Sequence, residues 1–347
     1  MILPPPNNTL AALEADCQVP GQPPSGFPKI VRASEFVARL IIRPLEVIRG
    51  VLYQMGKMVY GGPSKGNKTW VLIDMALAVA TGGKWLGFET TKGNVLYINL
   101  ELQPFSSQHR LKEVARARGC AVPDNLHVWN LRGHSCPLAE LLPELLRQIG
   151  DEQYVLIIVD PIYKTMAGRD ENDAGDIGEV CNEIEAVAVK TGAAIAFGSH
   201  FAKGNASQKN AIDRISGSGV FARDPDAILT ATPLATEGTF SLELTLRDFA
   251  PVDKFGVRWE YPLMVRDEAL DPNDLKQVKP GRKPEHSVQD ILCCIGSEPI
   301  SSGKWELACA NKGVSHGTFY TLKRQAEQDK LIEPDGKNWK LKARYEP

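Results

Sequence analysis

Short runs of valine, isoleucine and leucine alternate with amphipathic, helix-like segments between residues 30 and 267. The runs lie at residues 57–60, 94–100, 155–160, 193–200 and 227–232. Continuous apolar runs of this length are typical of parallel strands that crossover helices bury on both faces. The pattern therefore predicts an α/β domain whose mainly parallel sheet is flanked by helices.

Two polar segments divide the chain. Residues 1–28 contain seven prolines and little periodic apolar pattern, which predicts a disordered leader. Residues 269–286 are polar and contain three prolines, which predicts a linker. We therefore expect a larger domain over residues 29–268 and a smaller domain over residues 287–347.

The smaller domain shows a helical pattern followed by a turn signal. Three helices are predicted near residues 287–296, 301–311 and 315–328. Asp335 and Gly336 lie between apolar flanks and predict a β-hairpin. Three short helices and a hairpin are typical of a winged helix. Its third helix carries Lys323 and Arg324, which are predicted DNA contacts, although winged helices also serve as protein-binding modules.

Charge and cysteine content narrow the class of protein. The formal net charge of -2 excludes a uniformly basic coat protein for nucleic acid, so any DNA surface is local. The seven cysteines are scattered and have no CxxC spacing, so neither a disulfide framework nor a zinc site is expected. No apolar stretch approaches the ~18 residues of a membrane span. We expect a soluble, cytoplasmic protein without a membrane partner.

A glycine-rich segment joins the first apolar run to a long helical pattern. Against the phosphate-loop pattern GxxxxGK[ST], Gly62 takes the first position, Lys68 the lysine and Thr69 the hydroxyl. The helix N-terminus and Lys68 are predicted to bind the phosphates of ATP, and Thr69 to bind Mg²⁺. Asn67 replaces the usual glycine and tolerates a positive φ angle. The predicted nucleotide-binding residues are Gly61, Gly62, Pro63, Ser64, Lys65, Gly66, Asn67, Lys68, Thr69 and Trp70.

Polar residues end two further apolar runs. Asp160 closes VLIIVD and is predicted to hold Mg²⁺, with a helix cap as the alternative. His200 closes AAIAFGSH and is predicted to sense the γ-phosphate, with a histidine that is satisfied within the fold as the alternative. These two residues and Lys68 form the core of the predicted site.

Five segments together resemble one ATPase family. The segments are GGPSKGNKTW, NLELQ, IIVDPIYKTMAGRDEND, GSHFAKGN and DRISGSGVFARDPDAI. They resemble RecA-like ATPases of the family that includes the hexameric RepA helicases of broad-host-range plasmids. The resemblance covers about residues 30 to 265 and implies a RecA-like fold, Mg²⁺-dependent ATP hydrolysis and a ring with ATP between subunits.

The resemblance also implies roles for individual residues. Glu101, at the end of the predicted strand NVLYINLE, would be the general base that polarises the attacking water, with a solvated glutamate at a strand end as the alternative. Arg214, or otherwise Arg223, would reach the site of the neighbouring subunit. Lys203 and Lys209 lie in a segment that would face single-stranded DNA in the ring.

The expected function is an ATP-driven, ring-forming DNA helicase that works with other replication proteins. One alternative is an ATP-switched DNA-binding or loader protein without unwinding activity, which Asn67 and Leu102 favour because both depart from the helicase pattern. Another is a sensor ATPase in the defence system of a mobile element.

Overall fold

A computed structural model describes residues 29–63, 66–170, 173–200, 220, 223–276, 286–296 and 298–342. The chain divides into two compact units, Met1–Gln277 and Val278–Pro347. The predicted leader lies outside the described residues. None of the described helices is long and apolar enough to cross a membrane.

The larger unit contains strands and helices in alternation. Its described strands are β1 (Glu46–Ile48), β2 (Leu52–Tyr53), β3 (Lys57–Gly62), β4 (Lys84–Trp85), β5 (Phe88–Glu89), β6 (Asn94–Asn99), β7 (Leu126–Asn130), β8 (Tyr154–Asp160), β9 (Ala194–His200), β10 (Ala227–Pro233), β11 (Thr239–Leu246), β12 (Phe255–Glu260) and β13 (Leu263–Arg266). Its described helices are α1 (Ala33–Ala38), α2 (Lys68–Thr81), α3 (Pro104–Ala117), α4 (Leu138–Ile149) and α5 (Ala174–Thr191). The five apolar runs correspond to β3, β6, β8, β9 and β10, which confirms these strands.

Nine of the described strands form one sheet in the order β13-β12-β11-β10-β3-β9-β8-β6-β7. The strands from β10 to β7 pair in parallel, and β11 to β13 extend the sheet in antiparallel fashion. The parallel part confirms the predicted α/β fold class. The sequence pattern did not predict the antiparallel extension, because these strands become exposed toward one end and lack a long apolar run.

Helices cover both faces of the parallel part. Side chains of β6 alternate between two apolar clusters, one that includes α2 and α3 and one that includes α4 and α5. Helix α2 is buried from Val71 to Ala80, because it packs beneath the sheet with apolar residues on all sides. The N-terminus of this helix is thereby held at the carboxyl end of β3.

The linker prediction needs a correction at its N-terminal side. Leu275 forms a β-bridge with Leu234, and the N–H of Lys276 donates to the carbonyl of Pro233 at 3.0 Å. Residues 269–276 therefore belong to the larger unit. The polar composition of residues 269–276 did not predict this attachment, because the attachment depends on backbone hydrogen bonds and on a few isolated leucines.

The smaller unit has its own apolar core. Its described elements are α6 (Val288–Leu292), β14 (Ile300–Ser301), α7 (Ser302–Ala310), α8 (His316–Gln328), β15 (Ile332–Asp335) and β16 (Asn338–Leu341). The described strands form an antiparallel sheet in the order β14-β16-β15. Trp305 and Phe319 pack edge to face at 5.1 Å in the core. The three predicted helices and the hairpin are confirmed, and β14 is an addition.

Candidate nucleotide-binding site

The conformation of the phosphate loop explains why Asn67 can occupy a position where glycine is usual. The N–H of Gly66 donates to the carbonyl of Pro63 at 3.0 Å, and a Cβ on Gly66 would lie 2.9 Å from that oxygen. Asn67 has φ 58° and ψ 20°, a left-handed conformation that asparagine tolerates. Glycine is thus required at 66 by close contact, and Asn67 supplies the positive φ. Ser64 and Lys65 lie outside the described residues.

Lys68 begins α2 and projects its ammonium group toward the ends of two strands. Its Nζ lies 2.8 Å from the carbonyl of Pro63, 3.3 Å from that of Gly62 and 3.0 Å from Nδ1 of His200. β3 and β9 are parallel, and Gly62 pairs with His200, which brings these ends together. Burial lowers the pKa of Lys68 to about 8. Among the described residues, no carboxylate lies within 4.0 Å of this amine.

Asp160 ends β8 in a buried position beside the phosphate loop. The hydroxyl of Tyr97 donates to its Oδ2 at 2.5 Å, and Thr69 lines the same pocket as this carboxylate. Burial raises the pKa of Asp160, although the Tyr97 and Thr69 hydroxyl groups act in the opposite direction. A carboxylate and a hydroxyl in one pocket fit Mg²⁺, whose remaining ligands are usually phosphate and water. Thr69 and Asp160 would hold this ion.

Glu101 follows the end of β6 in an exposed position. Its strand β6 is not a neighbour of the phosphate-loop strand β3, because β8 and β9 lie between them. The side chain of Asn99 fixes the turn: its Oδ1 accepts from the N–H of Leu102 at 2.9 Å, and its Nδ2 donates to the Leu102 carbonyl at 2.8 Å. Glu101 therefore reaches the same pocket from a more distant strand.

One pocket of about 470 Å³ collects these groups. It is lined by Gly66, Asn67, Lys68, Thr69, Trp70, Glu101, Leu102, Arg110, Asp160, Pro161, Gly198 and His200. The pocket combines the N-terminus of α2, the partly buried ammonium group of Lys68 and the carboxylates of Glu101 and Asp160. This arrangement can bind a polyphosphate, hold a divalent cation and orient a water molecule.

Arg223 lies at the opposite end of the sheet from the pocket. It precedes β10, whose first residue pairs with the second residue of β3, whereas the pocket lies beyond the last residue of β3. Arg223 therefore does not reach the pocket of its own chain, and its role in a neighbouring subunit stays a prediction. Lys203, Lys209 and Arg214 lie outside the described residues.

Lys323 requires a correction. Its side chain is buried in the smaller unit, where Nζ donates to the hydroxyl of Ser302 at 2.9 Å and lies 4.1 Å from the centre of the Trp339 ring. Lys323 was predicted, together with Arg324, as a DNA contact on the third helix of this unit. The helical phase instead directs it inward, whereas the next residue, Arg324, is exposed.

Sequence reasoning missed three polar residues of the site. Tyr97 and Asn99 interrupt the apolar run of β6, and such polar residues within a buried strand are a usable signal of a buried hydrogen bond. Arg110 lies on α3 and lines the pocket. Its sequence environment is an ordinary amphipathic helix, so only the tertiary structure reveals its location.

Comparison with protein families identifies the family of this chain. The model of the AAA domain matches residues 22–206, which is more than half of the sequence. The chain belongs to the AAA domain family. Nucleotide hydrolysis is the activity that this family and the pocket support, and the AAA domain provides the phosphate loop, Asp160 and His200.

The solved structures that are similar to this chain include the following one. A KaiC-like protein from the hyperthermophilic archaeon Pyrococcus horikoshii is 12% identical, with a TM-score of 0.45. The similarity covers 64% of this chain and 93% of that chain. A search of the curated proteins finds no match to this AAA domain protein.

Proposed function

We propose that this protein is an ATP-hydrolysing, ring-forming motor that moves along single-stranded DNA and unwinds DNA during replication. The observation that carries the proposal is the 3.0 Å contact between Lys68 Nζ and His200 Nδ1. It links the phosphate loop directly to the end of β9. The segment that follows β9 holds Lys203, Lys209 and Arg214, the predicted contacts to DNA and to the neighbouring subunit.

Each of these pocket residues has a proposed task in hydrolysis. Lys68 and the N-terminal N–H groups of α2 bind the phosphate oxygens, which carry the charge that grows during phosphoryl transfer. Thr69 and Asp160 would hold Mg²⁺, which supplies further neutralisation of that charge when it is bound. Glu101 accepts a hydrogen bond from the attacking water and takes its proton as the bond from the water oxygen to the γ-phosphorus forms. The bond from the γ-phosphorus to the β,γ-bridging oxygen breaks in the same step, so that ADP leaves and phosphate is released. His200 responds to whether the γ-phosphate is present.

An exposed apolar segment supports assembly into a homo-oligomer. Large apolar side chains before β1 are exposed, namely Ile30, Phe36, Val37, Leu40, Ile41 and Ile42. Contiguous exposed apolar residues of this kind mark interaction sites. In a hexameric ring, Arg214 or Arg223 of one subunit would stabilise the transferred phosphoryl group in the next.

The smaller unit supports a docking role. Its order of helix, strand, two helices and hairpin supports the winged-helix interpretation, and Gly336 adopts φ 63° in the hairpin turn. On this interpretation, Arg324 contacts DNA phosphate from the exposed side of α8. Binding of the unit to another replication protein would replace this role.

The test compares ATP hydrolysis and strand separation in the same preparation. We expect hydrolysis with Mg²⁺ to rise when single-stranded DNA is added, and forked DNA to be unwound. His200→Ala should still bind nucleotide but should lose the stimulation by DNA. DNA-stimulated hydrolysis without unwinding of forks of either polarity would contradict the helicase role and favour an ATP-switched loader.

A further inference from the structure

Arg110 brings a second cation to the pocket from a helix other than α2. Its guanidinium carbon lies 4.9 Å from the centre of the Trp70 ring, and both side chains line the pocket with Lys68. Trp70 directly follows Thr69 in the first turn of α2. The arginine is therefore placed over the turn that holds the predicted Mg²⁺ ligand.

Neighbouring aromatic rings hold the Trp70 ring in place. Tyr261 packs edge-on against Trp70 at 5.3 Å, and Trp259 lies at 6.1 Å. Helices α2 and α3 are also joined by an ion pair of 2.5 Å between Asp74 and Arg118, both largely buried. A guanidinium held over a fixed aromatic face keeps its N–H edge available for a ligand.

The charge of Arg110 is not neutralised by the described residues. No carboxylate among them lies within 4.0 Å of its guanidinium, whereas Arg118, on the same side of the sheet, is paired with Asp74. Arg110 lines the same pocket as Lys68 and Thr69, which is the space where the phosphates are expected.

We propose that Arg110 binds the phosphate groups of the nucleotide within its own chain, as a partner of Lys68, and that Trp70 positions it. The planar guanidinium matches two phosphate oxygens, which a lysine ammonium cannot match in the same way. This inference rests on the proposed nucleotide site. It makes α3 and the turn between β12 and β13 part of the binding machinery.

The experiment measures nucleotide affinity by calorimetry, with ADP and with the non-hydrolysable analogue AMP-PNP in the presence of Mg²⁺. Arg110→Gln should weaken binding by roughly 10- to 100-fold, the usual range for loss of a charged hydrogen bond. Arg110→Lys keeps the charge without the planar fork and should recover part of the affinity. Arg116→Gln is the matched control, because Arg116 lies on the same helix, is exposed and is paired with Glu113.

The role of Trp70 is tested through Arg110. Trp70→Phe keeps an aromatic face and should bind nucleotide more tightly than Trp70→Leu. In the Arg110→Gln background, the difference between these two Trp70 variants should disappear. A purely structural role of Trp70 would leave that difference unchanged and would overturn the positioning claim.

The outcomes separate this inference from the proposed function. If the wild-type protein binds neither ADP nor AMP-PNP, the nucleotide site itself is refuted, and Arg110 with it. If the wild type binds nucleotide, and both folded Arg110 variants bind it as tightly as the wild type does, only the role of Arg110 is refuted. A loss seen with AMP-PNP alone supports the proposal and locates the contact at the γ-phosphate.

Discussion

Two lysines, Lys57 buried and Lys68 partly buried, lie at opposite ends of β3 and differ in their partners. Lys57 begins the strand, and its ammonium group pairs with Glu185 and with Asp224, the latter at 2.9 Å. Lys68 lies just beyond the other end of the strand and contacts only carbonyl groups and His200 in the described part of the chain. One lysine is neutralised within the fold and the other is not.

The pKa values of these lysines follow from that difference. Burial by itself lowers the pKa of Lys57, but Glu185 and Asp224 outweigh it, and the pKa is raised. Burial dominates at Lys68 and lowers its pKa to about 8. A buried cation without an anion is costly to the folded state and is a common mark of a functional site. We therefore expect Lys57 to stabilise the fold, whereas Lys68 is the proposed ligand-binding residue.

The largest expected effect is at Lys68. Lys68→Ala should reduce ATP hydrolysis by ~10²–10³-fold, as expected when a group that stabilises transition-state charge is removed. The midpoint of thermal unfolding should stay unchanged or rise, because a buried cation without a carboxylate partner is removed. Hydrolysis assays and calorimetry on the same preparation check both parts. Lys190→Ala, at the exposed end of α5, is the control.

Glu101 extends the comparison to the proposed general base. Glu101→Gln should lower the rate of hydrolysis by roughly 10²-fold or more, since a general base is lost. Affinity for ATP and the free energy of unfolding should hardly change, because the side chain is exposed. Single-turnover hydrolysis and equilibrium binding measure the two effects. Unaltered hydrolysis in this variant would remove Glu101 from the mechanism.

Lys57 should show the reverse behaviour. Lys57→Met should reduce the free energy of unfolding by about 1–3 kcal/mol, less than for a fully buried ion pair, because Glu185 is 59% exposed. Affinity for nucleotide should be unaffected at temperatures where the variant is folded. Because the folded-state pKa of Lys57 is raised, this stabilisation is present at neutral pH and is lost as the pH rises through that pKa. Chemical denaturation at several pH values gives the measurement.

The smallest effect is expected at a third lysine, Lys323, which is buried. Burial lowers its pKa, and its described contacts are the Ser302 hydroxyl and the Trp339 ring. Lys323→Met should change the free energy of unfolding by less than about 1 kcal/mol, because the apolar side chain replaces a weakly paired cation of similar length. DNA affinity of the full chain should be unaltered, whereas Arg324→Gln should weaken it. A loss of DNA affinity in Lys323→Met would restore the original prediction for this residue.

Much of the candidate site could be predicted from the local sequence. The phosphate loop, Asp160 and His200 each follow a buried apolar strand, and parallel strands bring their carboxyl ends to one edge of the sheet. Once the strands are assigned, these residues must therefore be close. The antiparallel extension and the inward phase of Lys323 were not predictable in this way, because both depend on which side of a half-exposed element meets the core.

The sequence by itself determined the ATPase fold class, the predicted phosphate loop and the residues at the strand ends, because each of these features depends on a run of adjacent residues. Only the tertiary structure decided that Tyr97 bonds to Asp160 and that Arg110 lies over Trp70. The order of strands in the sheet also came from the structure. The physical reason is that these relationships join residues far apart in the chain, and long-range packing selects among side-chain positions that local patterns leave open.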